Sequence, residues 1–323
     1  MFVTGKMGLV YVFGRASGEP IYGMEERPVA RTGANDAASM TQPFPLQPGP
    51  IGRVRMTRAD INKMTPAIEK YCADLWVKYE MFDNDLFWRP STRGGQVSFP
   101  SGVGGPNWGP LSYNPTLGYV FINLHNTGRF VPKATASAGD SAGADEDAFD
   151  GRGGGRGQAN AGAGAGPRGS SAGTGAANRT GAFAYRLPSG EEVPCYAGPY
   201  GELAAVDVNK GEIAWKSTLG INPFLSELGE VGVRSGARNL GGSIATASGL
   251  VFIAATNDRM FRAFDARTGK ELWVTELPAS GHATPVTYMG KDGKQYVVIA
   301  ASGGTNVGAG LPISDSLVAY RLP

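Results

Sequence analysis

Three stretches of this chain share one spacing of turn and aromatic. They are GRASGEPIY at residues 14–22, DVNKGEIAW at 207–215 and DARTGKELW at 265–273. Each places a glycine four residues after its first position and an aromatic four residues after that glycine. Residues 249–277 surround the clearest copy. Gly249-Leu250-Val251-Phe252-Ile253-Ala254-Ala255 is an apolar run, and Asn257-Asp258 is a turn signal. Phe261-Arg262-Ala263-Phe264 alternates as a half-buried strand does. Residues 265–270 then turn the chain. Asp265 can accept from backbone N–H groups two residues on, and Gly269 can take a positive φ without a Cβ clash. Glu271-Leu272-Trp273-Val274-Thr275 leaves as a third strand. A hairpin repeated 58 residues on, from 207 to 265, implies a β-propeller or β-solenoid. Each aromatic would then dock against the next sheet. The competing reading is an ordinary β-protein in which three such hairpins arose independently.

The rest of the chain fits an all-β protein with one helical excursion. Gly8 to Phe13 and the segments 96–100 and 118–124 read as strands. So do 283–288, 295–300 and 316–322, with Gly290-Lys291-Asp292-Gly293 as a hairpin turn. Thr65-Pro66 reads as an N-cap followed by proline at the first helical position. The helix would run from Pro66 to about Tyr79 and bury Ile68, Cys72, Leu75 and Trp76. Residues 134–181 are Gly, Ala, Ser, Asp and Arg with almost no apolar mass, so a mobile insertion is expected there. Its RGG-like run at 151–156 is offset by Asp140, Asp145, Glu146, Asp147 and Asp150, which favours a solvated linker over RNA contact. A net charge of +2 over 323 residues likewise gives no reason to expect nucleic acid or an anionic membrane as partner.

The sequence carries no motif for self-contained chemistry. His125 and His282 are the only histidines and lie at no metal-ligand spacing. G-x-S-x-G, a Walker loop and a Rossmann fingerprint in a βαβ setting are absent. Cys72 and Cys195 either pair or stay as buried thiols, which leaves the redox compartment open. The N-terminal residues form no signal peptide, and no segment reaches the length of a membrane span. The expectation is a cytoplasmic protein, or one whose export signal lies in a part not present here.

A family resemblance rests on long, ordered motifs. NLGGSIATASGLVFIAATNDRMFRAFDARTGKELW, then LPASGHATPVTY and GKQYVVIAASGG, resembles the C-terminal end of quinoprotein dehydrogenases, nearest their glucose/quinate/polyol branch. TGKMGLVYVFGRASGEPIYGMEERPV, TQPFP, NWGPLSYNP and GYVFINLHNTG resemble earlier parts of the same family. The resemblance implies an eight-bladed β-propeller with pyrroloquinoline quinone (PQQ) near its axis and a calcium-type ion beside it. It also implies oxidation of an alcohol or sugar hydroxyl, in the periplasm or at its membrane, with electrons passed to a quinone or cytochrome.

Carried over residue by residue, Lys6 in TGKMG matches the family lysine at the quinone oxygens. An ammonium there would stabilise the negative charge that develops on reduction. Asn123 matches an asparagine near PQQ, and Trp108 lies in a loop lining the cofactor region. Leu240, Gly241 and Gly242 match the segment that approaches the cofactor plane; the alcohol-oxidising branch has an aromatic at the Leu240 position. Thr305 and Asn306 fall in a loop bordering the substrate pocket. On the residues alone, Lys6 is an exposed strand-start lysine, Asn123 a polar strand end and Trp108 a core aromatic.

The family's catalytic aspartate, its metal ligands and most contacts to the PQQ carboxylates lie upstream of the TGKMG-like segment. Metal ligands and a catalytic base are therefore not expected in this chain. It should hold about four blades, half a propeller. The missing N-terminal half would be a partner, and no turnover is expected from this chain alone. One rival reading is a propeller scaffold without cofactor, against which the joint presence of Lys6, Trp108 and Asn123 argues; a third is a gene fragment with no activity of its own.

Overall fold

The computed structural model describes residues 1–29, 39–84, 86, 91–133, 183–303 and 311–321. The expected insertion at 134–181 lies outside the described residues. In chain order come β1 (Phe2–Thr4), β2 (Val10–Val12), β3 (Met24–Pro28), β4 (Thr41–Pro45), α1 (Pro66–Lys78) and β5 (Gln96–Ser98). Next are β6 (Ser112–Asn114), β7 (Tyr119–His125), β8 (Arg129–Val131), β9 (Ala184–Arg186), β10 (Glu192–Pro194), β11 (Gly201–Asp207) and β12 (Glu212–Thr218). After the short α2 (Gly229–Val233) come β13 (Ile244–Ala245), β14 (Leu250–Ile253), β15 (Met260–Asp265) and β16 (Glu271–Glu276). The described chain ends with β17 (Val286–Met289), β18 (Gln295–Ala301) and β19 (Ser316–Arg321). No described helix is long and apolar enough to cross a membrane.

The blades are antiparallel sheets stacked face to face. The order within them is β1-β2, then β12-β11-β7-β6, then β13-β14-β15-β16, then β17-β18-β19. Strand alternation sends successive side chains to opposite neighbours. Val120, Ile122 and Leu124 of β7, with Ala204 and Val206 of β11, pack on Val10 and Val12 of the first blade. Phe121, Leu203 and Ala205 face the other way, onto Val251, Ile253 and Phe264 of the third. The third blade in turn buries Ala254, Phe261 and Leu277 against Val297, Ile299 and Ala301 of the fourth. These sheets form the β-propeller that the repeats imply.

The repeated spacing is the joint between blades. Gly18, Gly211 and Gly269 all have positive φ, at 74°, 69° and 71°. Tyr22 lies over Gly211, where an added Cβ would sit 2.9 Å from its ring. Trp215 lies over Gly269, where a Cβ would sit 2.5 Å from Cε3. The ring donors also repeat their targets. Tyr22 Oη donates to the Val208 carbonyl, and Trp215 Nε1 donates to Ala266 O at 3.1 Å. Each acceptor lies three residues before its glycine. Tyr22 and Trp215 thus each dock on the turn of the following blade, whereas Trp273 packs on Phe261 and Tyr320.

One strand departs from the sequence reading. Residues 261–264 do not alternate; all four are buried, because blades cover both faces of β15. Arg262 survives there, 3% exposed, by pairing with the fully buried Asp258 at 2.5 Å and with Glu271 at 3.1 Å. Burying a charge is unfavourable unless it is paired and hydrogen-bonded.

Between β2 and β6, and again between β7 and β11, the chain leaves the blade stack. Helix α1 begins as its sequence implies: the Thr65 side chain accepts from Ile68 N, Pro66 opens the first turn, and Ile68, Cys72, Leu75 and Trp76 are buried. They share a second core with Met56, Phe99, Phe183, Tyr196 and Tyr200. Cys72 and Cys195 form a disulfide within that core, so the pairing that the sequence left open is made. It ties α1 to the residue following β10, across 123 residues of sequence.

Candidate functional site

Four separate segments meet at the 125 end of β7: Lys6, the loop at 101–110, residues 123–125, and 238–242. Lys6 follows β1 and is exposed. Its Nζ donates to Gly102 O at 2.8 Å, and its carbonyl accepts from Gly105 N at 3.0 Å. An ammonium has three N–H donors, so two remain beyond the Gly102 contact. Trp108 is 50% exposed, which corrects the reading of it as a core aromatic. Its Nε1 donates to Val103 O at 2.8 Å, which fixes an aromatic surface at the site's edge. Gly109 packs directly on residues 241–242: a Cβ there would lie 1.8 Å from Gly241 O. Only glycine permits that approach.

Asn123 is buried on the face of β7 turned toward the third blade. Its Nδ2 donates to Gly241 O at 2.9 Å and to Asn239 Oδ1 at 2.8 Å. Asn239 Nδ2 donates back to Leu124 O at 2.7 Å. Residue 125 shares that face of the strand, being two positions on. The His125 ring is 1% exposed, with Nδ1 3.0 Å from Asn239 O. Across the same segment, His282 Nδ1 lies 3.2 Å from Leu240 O and 3.0 Å from Ala255 O. Burial, helped by the Arg238 charge, pushes the His125 ring down to about 4; the Asn239 and Gly104 backbones oppose that shift. His282 is lowered too, by burial first. Both rings are neutral at pH 7. Their Nε2 atoms and Asn107 Oδ1 are buried without a hydrogen-bond partner among the described residues.

The structure therefore brings together Lys6, Trp108, Asn123, Leu240, Gly241 and Gly242. Thr305 and Asn306 lie outside the described residues. Sequence reasoning missed His125, Asn239 and His282, because it tested the histidines only as metal ligands. The alternation Phe121-Asn123-His125 along one strand face was the available signal. Among the described residues no three His, Cys, Asp or Glu side chains converge as a metal-binding group.

Stacked antiparallel sheets of two to four strands, with aromatics docked at their joints, define a β-propeller. The chain belongs to the family described as "PQQ: Glucose/ethanol/alcohol dehydrogenase, beta-propeller domain", which matches residues 1–297. It is 35% identical, over 98% of its length, to a probable quinate dehydrogenase (quinone) of Xanthomonas campestris pv. juglandis. It is 32% identical over 92% to a quinate/shikimate dehydrogenase (quinone) of Acinetobacter baylyi. It is 33% identical over 100% to quinoprotein glucose dehydrogenase A of Acinetobacter calcoaceticus. The chain spans 38%, 35% and 38% of those three proteins.

Proposed function

We propose that this chain forms one wall of a PQQ site in a dehydrogenase that oxidises a CH–OH group of a sugar, polyol or quinate-like acid. Electrons would pass on to a quinone or cytochrome. The observation that carries this reading is the meeting of Lys6, Trp108, Asn123 and residues 240–242 from distant parts of the chain.

These residues fit a planar, oxygen-rich ligand. Lys6 has free ammonium donors beside a fixed, exposed indole. The buried His282 Nε2 and Asn107 Oδ1 lack partners among the described residues, as polar atoms at the edge of a ligand site do. When bound, PQQ supplies the two-electron acceptor for hydride leaving the alcohol carbon. Lys6 would hold negative charge on the quinone oxygens, by electrostatic stabilisation already in place before charge develops. Trp108 would cover a flat face by stacking. Residues 240–242 would bring backbone close to the ligand plane, with Leu240 as the apolar contact. Thr305 and Asn306 are proposed to border the substrate.

Among the described residues no three His, Cys, Asp or Glu side chains offer a charged ligand set, and no step is routed through a metal. Proton removal is assigned to no residue of this chain; further propeller blades would supply it. The Cys72–Cys195 disulfide supports a periplasmic setting, since such bonds persist in oxidising compartments.

The test is a titration of PQQ, with Ca²⁺ present, into the purified chain, followed by the PQQ absorption band. Saturable binding at one PQQ per chain is expected. No saturable change up to millimolar PQQ overturns the proposal. In a dye-linked assay with glucose, glycerol and quinate the PQQ-loaded chain alone should show no turnover, and clear turnover would overturn the assignment of proton removal to other blades.

A further inference from the structure

Three successive carbonyls in the segment after Arg238 are each held by a side chain from another element. Asn239 O faces His125 Nδ1 at 3.0 Å, and Leu240 O, at 3.2 Å, shares His282 Nδ1 with Ala255 O at 3.0 Å. Gly241 O accepts from Asn123 Nδ2 at 2.9 Å. A carbonyl oxygen only accepts, so His282, whose Nδ1 faces two carbonyls, carries its proton there, while the His125 ring faces the backbone carbonyls of Asn239 and Gly104. The Asn123 amide is oriented just as firmly. Asn239 Nδ2 donates to Leu124 O at 2.7 Å and Ala237 O at 3.3 Å, which leaves Asn239 Oδ1 to accept from Asn123 at 2.8 Å. Turning Asn123 round would set its oxygen against two others.

A trans peptide is planar, and its carbonyl and the following N–H point in opposite directions. Holding a carbonyl therefore also aims the next N–H. In the Asn239–Leu240 peptide that N–H donates to Ala255 O at 2.8 Å, so both sides are satisfied. The next two peptides differ. Among the described residues neither Gly241 N–H nor Gly242 N–H has a protein acceptor, and both glycines are buried. Buried backbone donors are rarely left unpaired. The segment is also confined by backbone on both sides. A Cβ on Gly241, at φ 112°, would lie 2.4 Å from His282 O, and one on Gly109 would lie 1.8 Å from Gly241 O.

We propose that Asn123, His125 and His282 are positioning residues that lock residues 239–242, so that the Gly241 and Gly242 N–H groups form a paired donor for a carboxylate or quinone oxygen. Asn123 then acts through Gly241, because both of its N–H donors are used within the protein. The identity of the ligand rests on the PQQ reading; the locking does not. The rings stay neutral beside Arg238 and add no charge of their own to the donor pair.

Hydrogen exchange of residues 239–243 in the full chain, with and without PQQ plus Ca²⁺, tests this. Without ligand, His282→Leu and Asn123→Ala should speed exchange of the Leu240 N–H at least about tenfold, as loss of a hydrogen bond to a buried carbonyl implies. His282→Asn, which keeps a donor near the Nδ1 position, should restore the slow rate. Exchange in β15 should not change in any variant. With PQQ, exchange at Gly241 and Gly242 should slow in the unmodified chain. PQQ affinity should fall about tenfold in His282→Leu and recover in His282→Asn. Unchanged exchange at 240–242 in both disruptive variants overturns the locking. Bound PQQ that leaves Gly241 and Gly242 unprotected overturns the donor pair. Absence of PQQ binding by the unmodified chain sinks only the PQQ reading, and the ligand-free exchange still decides the locking.

Discussion

Gly18 and Gly269 offer a controlled test of the joints between blades. Both sit in turns with nearly equal φ, 74° and 71°. An added Cβ at Gly18 meets nothing within 4 Å, whereas at Gly269 it would lie 2.5 Å from Trp215 Cε3 and 2.6 Å from Ser217 Oγ. Gly18→Ala should therefore cost only the left-handed backbone penalty, about 1–2 kcal/mol. Gly269→Ala carries that penalty plus overpacking of about 1–3 kcal/mol. It also disturbs two hydrogen bonds, Trp215 Nε1 to Ala266 O at 3.1 Å and Ser217 Oγ to Gly269 O at 2.6 Å. Weakening those adds about 1 kcal/mol. The gap between the variants should be about 2–4 kcal/mol. Urea unfolding followed by tryptophan fluorescence reads it, since the Trp215 environment changes when the joint opens. Equal destabilisation by the two substitutions would refute the docking account, because backbone strain alone would then explain both.

Two further outcomes follow from the buried groups. The His125 ring, with an ordinary value of 6.5, is held near 4 in the folded protein, so the unfolded chain binds its proton first. That contribution to stability is complete above about pH 6.5 and is lost as pH falls toward 4, amounting to about 3 kcal/mol. His125→Leu should flatten that part of the stability–pH curve, and an unchanged slope between pH 4 and 6.5 would count against the buried neutral ring. Reduction of Cys72–Cys195, or the Cys72→Ser/Cys195→Ser pair, should lower unfolding stability by about 2–4 kcal/mol. Limited proteolysis should then cut first around α1, and a pattern identical to the oxidised chain would contradict the structural role of the bond.

What the sequence made legible was local. The turn glycines and docking aromatics share one short segment, so their spacing alone announced the blades. Helix α1 was readable from Thr65-Pro66 and its periodic apolar face. β15 was misread because alternation reports a sheet with one wet face, and blades cover both faces of this strand. The burial of Arg262 was not legible for the same reason, since its buried partner Asp258 belongs to the preceding turn. The disulfide joins residues 123 positions apart, a distance over which no local rule operates. At the site, Lys6, Trp108, Asn123 and residues 240–242 were reached through motif resemblance. The seam that holds them was not, because Asn239, His125 and His282 gain meaning only once β7 lies against the segment after Arg238.

The central claim is that Lys6 belongs to a PQQ-binding wall. Its most direct test compares PQQ affinity in Lys6→Met with that in Lys210→Met, an exposed turn lysine of the second blade. Removing the ammonium beside the fixed Trp108 should weaken PQQ binding at least about tenfold, as loss of a charge-assisted hydrogen bond implies. Lys210→Met should bind as the unmodified chain does. Equal affinity in all three proteins, with folding intact, would contradict the account.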